Sequence, residues 1–496
     1  MPPAVERAVR SAGRSDGART GPRPCARRGA QARDRAAAVW RQRHLAHEGR
    51  SRQLGLFRLF RLRRGRSVSG QGGRGRRQAG PVQCCPDPCA DARADDQALT
   101  RGARDLASAY QNGSLANQRT GRRARGGMNC AAAAPEMQQV ANRFERYGNA
   151  IPSARAANDL NQLGDRANAP VTGPCLERLP LDADALNREL GIPPGSPNAI
   201  TPNDLRNDQT GYRAAIYRSR TDGRLIMVSR DTQPKSLVDW KTNIFNGQGQ
   251  DTDQYAAARR LSTKLNASGQ RFDIGGYSKG GGLAQEAGLL SPNSRVYVFN
   301  SSGLHEASLR RTGQANFASL QSRTSSFSAE GDFLTFMNNT RDPAREVRNA
   351  QFLRNHLAGE APGSLNPMTI EYQNPAHAAL QAIGGRGNAD LAARKAAANR
   401  AFQADRARFL ESVDQMIAGA AETPGFDRLF PPVRSSSHET VPNSMSFLGR
   451  TTGARDDEAR FGKLVQHQMS NVLGPMENQL EADRAALQQF VRTCGS

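Results

Sequence analysis

The nine residues from Ile274 to Gly282, Ile-Gly-Gly-Tyr-Ser-Lys-Gly-Gly-Gly, constrain the fold of this chain more than any other stretch. They place a serine between two glycines, G-x-S-x-G, after a short apolar run and before the helix-forming run 283–287. One interpretation is a glycine-rich loop that only turns the chain. The flanking strand and helix patterns favour a nucleophile elbow, whose glycines avoid a steric collision at the sharp turn. Such a turn presents the serine at a helix N-terminus, where backbone N–H groups stabilise a developing oxyanion.

The positive charge of the chain is concentrated at its N-terminus. Residues 1–80 contain 21 arginines and no lysine against four acidic residues, which accounts for +17 of the net charge of +23. The first tyrosine is Tyr110 and the first isoleucine is Ile151, so this part can bury little apolar surface. We therefore expect residues 1–125 to be a disordered Arg-rich arm, and Met128 is a candidate true start. The arm carries no RNA-binding signature or interleaved aromatic residues, so no specific nucleic-acid partner is predicted.

Beyond the arm, three further segments differ in pattern. Residues 126–210 are predicted to be a helical and loop lead-in, residues 211–385 an α/β core, and residues 386–496 a helical tail or cap. Strands that alternate with helices in the core predict a sheet flanked by helices. The predicted strands are 213–217, 225–228, 272–274, 296–299, 325–327 and 368–372. The predicted helical tracts of the tail are 388–421 and 458–491, with a loop at 422–453 between them.

Cysteine usage and hydropathy exclude several classes of protein. The seven cysteines are odd in number and lack zinc spacing, so neither a metal site nor a regular disulfide framework is expected, and no cofactor is implied. The N-terminus lacks the apolar core of a signal peptide, and no apolar run is long enough to span a membrane. We expect a protein made in the cytoplasm that, if exported, uses a route independent of a signal peptide.

A serine nucleophile needs a base, and the base needs an acid that orients it. In folds built around the elbow, the chain order is serine, acid, histidine. Ser278 is the predicted nucleophile, and Asp332, shortly after the strand that ends near residue 327, is the predicted acid. Asp342 and Glu330 are the alternatives, because a small error in the position of the strand end would exchange them.

The histidine is assigned by the same order. His377 directly follows the predicted strand 368–372, where the base is expected, so we predict that it is the catalytic histidine. His438 is the alternative if the helical tract before it is an insertion. His467 is interpreted as a solvated helix residue.

The oxyanion hole is expected to use the residue after the nucleophile and an early strand–helix loop. The backbone N–H of Lys279 would supply the first donor. Thr232, in the polar loop after strand 225–228, would supply the second, although a plain helix cap or turn residue is an equal interpretation.

Four blocks of residues resemble the class 3 lipases, which are α/β-hydrolases that act on acylglycerols and phospholipids. These blocks are the elbow at 274–284, the strand and loop at 226–232, the Asp-Trp segment at 236–243, and the Asn-Ser-Ser-Gly turn at 299–304. The resemblance covers roughly residues 210–385. It implies Ser278 as nucleophile and Thr232 as oxyanion contributor, with Asp332 and His377 completing the triad.

Two positions depart from the pattern of that family. Asp231 stands where glycine is usual, and Tyr277 and Lys279 flank the serine in place of histidine and leucine. Bacterial proteins with such a core and additional helices resemble secreted phospholipase effectors. That resemblance implies a lipid or phospholipid substrate at a membrane surface, and a cognate inhibitor or secretion-machinery protein as a further partner.

The predicted function is a serine-dependent lipid ester hydrolase of the lipase or phospholipase A type that acts through an acyl-enzyme. One alternative is a non-catalytic hydrolase fold that binds a partner or an anionic membrane. Another is a thioesterase or peptidase on the same fold, which would differ only in substrate.

Overall fold

The structure is a computed structural model. It describes residues 88–113, 115, 128–163, 175–233, 236–339, 347–348, 350–351, 354, 389–422, 430–442 and 467–495. In this part of the chain a central sheet is flanked by helices, which makes the fold mixed α/β, as predicted. None of the described helices has the length and apolar character needed to cross a membrane.

The described strands and helices alternate through the central part of the chain. The strands are β1 (Leu176–Arg178), β2 (Arg206–Asn207), β3 (Tyr212–Ser219), β4 (Leu225–Ser229), β5 (Phe272–Tyr277), β6 (Val296–Phe299), β7 (Thr324–Ala329) and β8 (Ser437–Val441). The helices are α1 (Pro88–Gln111), α2 (Cys130–Leu163), α3 (Ala183–Glu189), α4 (Pro202–Leu205), α5 (Leu237–Gly247), α6 (Asp253–Ala267), α7 (Lys279–Leu289), α8 (Ala307–Thr312), α9 (Ala318–Arg323), α10 (Phe333–Asn339), α11 (Ala389–Glu422) and α12 (Ser470–Cys494).

The sheet has the strand order β1-β3-β4-β5-β6-β7-β8, and β2 pairs with β3 at the side. β3 and β4 form an antiparallel pair, which agrees with the predicted hairpin, and β4 through β8 are parallel. The carboxyl ends of these five strands therefore lie along one edge of the sheet. The loops that follow β4, β5 and β7 meet at that edge, and ligand sites of open α/β sheets form there.

Alternation along the strands divides the core into two layers. On β4, Leu225 and Met227 face one layer, in which α6 and α7 pack, while Ile226 and Val228 face the other. The second layer is covered by α2 and α12. Each fully buried side chain of this size contributes about 1.5–3 kcal/mol of hydrophobic stabilisation, so both faces of the sheet must be covered.

Part of the segment predicted to be a disordered arm is helical, because α1 occupies residues 88–111. Its small residues Ala103 and Ala107 and the ring of Tyr110 pack against α2 and α12. The prediction depended on the scarcity of large apolar residues, but an alanine-rich helix needs few of them when two neighbours cover it.

The four cysteines within the described residues form two disulfides, contrary to the expectation from the odd number of cysteines. Cys89, at the start of α1, pairs with Cys175, and Cys130, at the start of α2, pairs with Cys494, at the end of α12. An odd count leaves one cysteine over but does not prevent the others from pairing.

The C-terminal half contains one strand that was not predicted. β8 lies within the segment expected to be a loop, pairs with β7, and buries fully only Val441, so it has little hydrophobic alternation to recognise. The predicted strand 368–372 lies outside the described residues. The predicted helix 388–421 agrees with α11, and the tract 458–491 corresponds to α12, which begins at Ser470.

Candidate active site

Ser278 lies at the turn between β5 and α7, as the elbow motif predicts. Its backbone has φ 55° and ψ −126°, a conformation that costs a non-glycine residue about 1–3 kcal/mol. A Cβ atom on Gly276 would lie 2.0 Å from the carbonyl oxygen of Gly280, and one on Gly280 would lie 2.3 Å from that of Ser229. Glycine is therefore required on both sides of the serine.

Backbone hydrogen bonds hold this strained turn. The N–H of Ser278 donates to the carbonyl of Phe299 at 3.0 Å. The carbonyl of Ser278 accepts from the N–H groups of Gly281 and Ser302, each at 3.0 Å. These bonds connect the elbow to β6 and to the loop after it, so the position of the serine is determined by the sheet.

The side chain that reaches the serine is His467. Its Nε2 lies 2.8 Å from Oγ of Ser278, and its Nδ1 lies 2.6 Å from Oδ1 of Asp332. The side chain is only 14 % exposed. Its ring lies between the rings of Tyr277, at a centroid distance of 5.2 Å, and Phe333, at 4.7 Å.

Asp332 follows β7 and precedes α10, and its side chain is fully buried. One oxygen faces the imidazole, and the other accepts the backbone N–H of Thr335 at 2.7 Å. A carboxylate can only accept hydrogen bonds, so Nδ1 of His467 carries the proton and Nε2 is left to accept from the hydroxyl of Ser278. This arrangement can move a proton from the serine to the imidazole.

Two of the three predicted triad residues, Ser278 and Asp332, are thus brought together. The third side chain at the site is His467. Its sequence context predicts a solvated helix residue, and the structure corrects this prediction because the ring contacts two aromatic side chains. The predicted base His377 and the alternative acid Asp342 lie outside the described residues. His467 does follow the expected chain order of serine, acid and histidine, but no local pattern distinguishes it.

The two remaining alternatives lie elsewhere. His438 is on β8, and its ring nitrogens are hydrogen-bonded with the hydroxyls of Ser328 at 3.0 Å and Ser326 at 3.3 Å. Partial desolvation on β8 lowers the pKa of His438, and the nearby charge of Asp332 opposes this. Glu330 lies in the turn after β7, where its backbone N–H donates to the carbonyl of Val441.

Both predicted oxyanion donors lie on segments beside the elbow. Lys279 is the first residue of α7, and the loop after β4 passes the first turn of that helix, since Gly280 approaches the carbonyl of Ser229 closely. The hydroxyl of Thr232 accepts from the side-chain amide of Asn243 at 2.9 Å. The N-cap of α5 is Ser236, so Thr232 does not cap that helix.

The same loop contains Asp231, which stands where the class 3 lipases usually have glycine. Burial raises the pKa of Asp231 to about 6, while the positive charges of Lys279 and Arg230 oppose this rise. The backbone N–H of Asp231 donates to the side-chain oxygen of Asn161 on α2 at 3.2 Å. This hydrogen bond joins the loop to α2, which covers the opposite face of the sheet from α7.

Comparison with known proteins gives a family match over the central part of the chain. No curated protein matches the sequence. His467 and β8 lie beyond the segment that a family model matches, and Ser278 and Asp332 lie within it. That segment, residues 195–381, matches the phospholipase-like family of the Tle-like phospholipase domain, so over these residues the chain is similar to bacterial phospholipase effector-like proteins.

Proposed function

We propose that the protein is a serine-dependent lipid ester hydrolase of the phospholipase A type, with an α/β-hydrolase core of the lipase kind. The observation that carries the proposal is the chain of hydrogen bonds from Ser278 through His467 to Asp332 at a strained strand-to-helix turn. The family match supports a phospholipase or lipase function in general. The parallel strands on either side of the elbow support the fold assignment.

In the proposed reaction, Oγ of Ser278 attacks the ester carbonyl carbon while Nε2 of His467 takes the hydroxyl proton. The tetrahedral intermediate then breaks its bond to the alcohol oxygen, and the imidazolium gives its proton to that leaving group. Water, deprotonated by Nε2 of His467, then attacks the acyl-enzyme. The bond from the acyl carbon to Oγ of Ser278 breaks, the imidazolium returns its proton to Oγ, and the fatty acid leaves. Asp332 keeps the imidazole in the required tautomer and stabilises its charged form.

The negative charge of the tetrahedral intermediate needs hydrogen-bond donors. We assign this role to the backbone N–H of Lys279, at the N-terminus of α7, and to Thr232. Donors of this kind typically contribute about 10²–10³ in kcat each.

A lipid substrate is supported by the apolar side chains that adjoin the site. Phe333, Leu334 and Phe336 on α10 directly follow Asp332 and are half-buried. They pack beside α5 and α11 in one apolar cluster. An acyl chain would extend this cluster, whereas a polar substrate would leave the apolar surface exposed to water.

We also propose that the protein acts outside a reducing cytosol, at a membrane surface, after export as an effector. Two disulfides support this location, because such bonds persist in oxidising compartments. A cognate inhibitor and a secretion-machinery partner would accompany an effector of this kind.

The test compares the wild-type protein with Ser278→Ala on p-nitrophenyl butyrate, on phosphatidylethanolamine–phosphatidylglycerol vesicles, and on matched thioester and peptide substrates. We expect fatty acid release from vesicles by the wild type alone, and labelling of Ser278 by a fluorophosphonate probe. Ser322→Ala, which changes an exposed serine, is the control and should behave as wild type. A wild-type protein that neither turns over an ester nor reacts with the probe would refute the proposal in favour of a binding protein. Turnover of thioesters or peptides alone would change the substrate class.

A further inference from the structure

A buried ion pair lies directly beneath the elbow. Lys279, the residue after the nucleophile, pairs through Nζ with Oδ1 of Asp239, and neither side chain is more than 1 % exposed. Removing two charges from water costs several kcal/mol per ion, and hydrophobic residues in their place are often as stable. A pair at this position therefore needs an explanation beyond stability.

Asp239 connects three separate segments. Besides Lys279 on α7, its Oδ1 accepts from the side-chain amide of Gln254 on α6 at 2.7 Å. Its Oδ2 accepts from the backbone N–H of Gln233 at 2.8 Å, and Gln233 directly follows Thr232. One carboxylate thus joins the first residue of the nucleophile helix to the loop that contains the second proposed oxyanion donor.

The loop is held on its other sides as well. Thr232 is bound by Asn243 and the N–H of Asp231 by Asn161, but neither of these contacts reaches α7. The side chain of Lys279 does reach the loop through Asp239, which also accepts the N–H of Gln233. The charge of Lys279 also compensates Asp231, since it opposes the rise in the pKa of that carboxyl.

We propose that the pair Lys279–Asp239 positions the oxyanion hole: it holds loop 230–233 against the first turn of α7, so that donors on both segments converge on the tetrahedral intermediate. Lys279 then acts twice, through its backbone N–H as a donor and through its side chain as a positioning group. This inference rests on the proposed serine hydrolase function. Misplacing a reacting or stabilising group by about 1 Å costs about 10²-fold in rate, and that is the expected size of the effect.

The experiment uses the full chain and three variants at the pair: Lys279→Met, Asp239→Asn, and the two combined. Lys279→Met alone leaves a buried unpaired carboxylate and is expected to unfold more easily. The combined variant removes both charges, so it is expected to remain folded. It should show kcat on p-nitrophenyl butyrate lowered about 10²-fold, KM within about threefold of wild type, and Ser278 still reactive with the fluorophosphonate probe.

A matched control is a second Lys–Asp pair away from the elbow. Lys264 on α6 pairs with the buried Asp204 at 2.6 Å, and Lys264→Met/Asp204→Asn removes the same two charges. We expect this control to lose stability without a change in kcat when both proteins are assayed well below their unfolding temperatures.

Two results would overturn the inference. One is a folded protein that carries both Lys279→Met and Asp239→Asn and has the kcat of wild type. The other is a rise in KM with unchanged kcat, which would assign the pair to substrate binding. Inactivity of the wild-type protein itself would refute the proposed function, and is thereby distinguished from failure of this inference.

Discussion

The identity of the general base is the sharpest prediction, because sequence and structure assign it to different histidines. We expect His467→Ala to abolish ester hydrolysis while the protein stays folded. Nε2 lies 2.8 Å from Oγ of Ser278, within reach for direct proton transfer, so the variant leaves the hydroxyl without an acceptor.

The magnitude follows from how the three side chains are connected. Loss of the base in a triad costs about 10⁶ in kcat, and loss of the acid about 10⁴, which correspond to about 8 and about 5 kcal/mol of transition-state stabilisation. Asp332 acts on the serine only through the ring of His467, from which it is 2.6 Å away. His467→Ala and Asp332→Asn combined should therefore be no slower than His467→Ala alone.

The assay is the steady-state hydrolysis of p-nitrophenyl butyrate, with circular dichroism as the check on folding. His438→Ala is the matched control, because this ring is also hydrogen-bonded through both nitrogens, but to Ser326 and Ser328. His377→Ala tests the residue that the sequence favoured. The reasoning is refuted if His467→Ala keeps more than about a tenth of wild-type kcat, or if either of the other two variants loses as much activity.

Three further predictions concern the frame around the site. Replacing both Cys130 and Cys494 by serine removes a bond between residues 364 apart, for which loop-closure entropy gives an upper limit of about 6 kcal/mol. We expect the free energy of unfolding, measured in urea, to fall by about 2–5 kcal/mol. An unchanged unfolding midpoint would contradict this. Burial raises the pKa of Asp231 to about 6, so the folded protein binds this proton more tightly than the unfolded chain, and the free energy of unfolding should fall as pH rises from about 4 to about 6. Asp231→Asn should then be more stable than wild type at pH 7, by at most about 3 kcal/mol, with no difference below about pH 4; an equal difference at both pH values would count against the burial effect. Gly280→Ala should prevent folding, because its Cβ would lie 2.3 Å from a backbone carbonyl oxygen. The control Gly474→Ala in α12, with open space around the new methyl group, should raise the free energy of unfolding by up to about 1 kcal/mol. A stable, active Gly280→Ala protein would refute the steric argument.

The disulfide between Cys130 and Cys494 attaches the C-terminal segment, which contains His467, to α2. The described chain returns to the elbow at His467 and continues directly into α12, whose far end is bonded to the start of α2 through Cys494. The segment that supplies the imidazole is thereby covalently attached to the helix that covers one face of the sheet. Reduction is expected to weaken the attachment of this segment before it affects the sheet itself.

The amino-acid sequence by itself determined the elbow and much of the sheet. The turn at Ser278 is a local feature, since it requires glycine at positions 276 and 280, and a strand and helix in direct succession. The hairpin of β3 and β4 is likewise local. Asp332 could be predicted because the acid of an elbow-based fold follows a strand after the nucleophile, and a strand was predicted at 325–327, within β7.

Only the tertiary structure decided which histidine completes the site. β8 is a polar strand at the end of the sheet and is held mainly by backbone pairing to β7. Hydrophobic alternation therefore does not reveal it, and the sequence predicts the last strand at 368–372 instead. His467 is 189 positions from Ser278, and no local pattern in the sequence indicates that Nε2 and Oγ lie 2.8 Å apart. The same holds for Asp239 and Lys279 and for the pairing of Cys130 with Cys494. Local sequence specifies a turn because neighbouring residues share its geometry, whereas contacts between distant residues exist only once the layers of the core have packed.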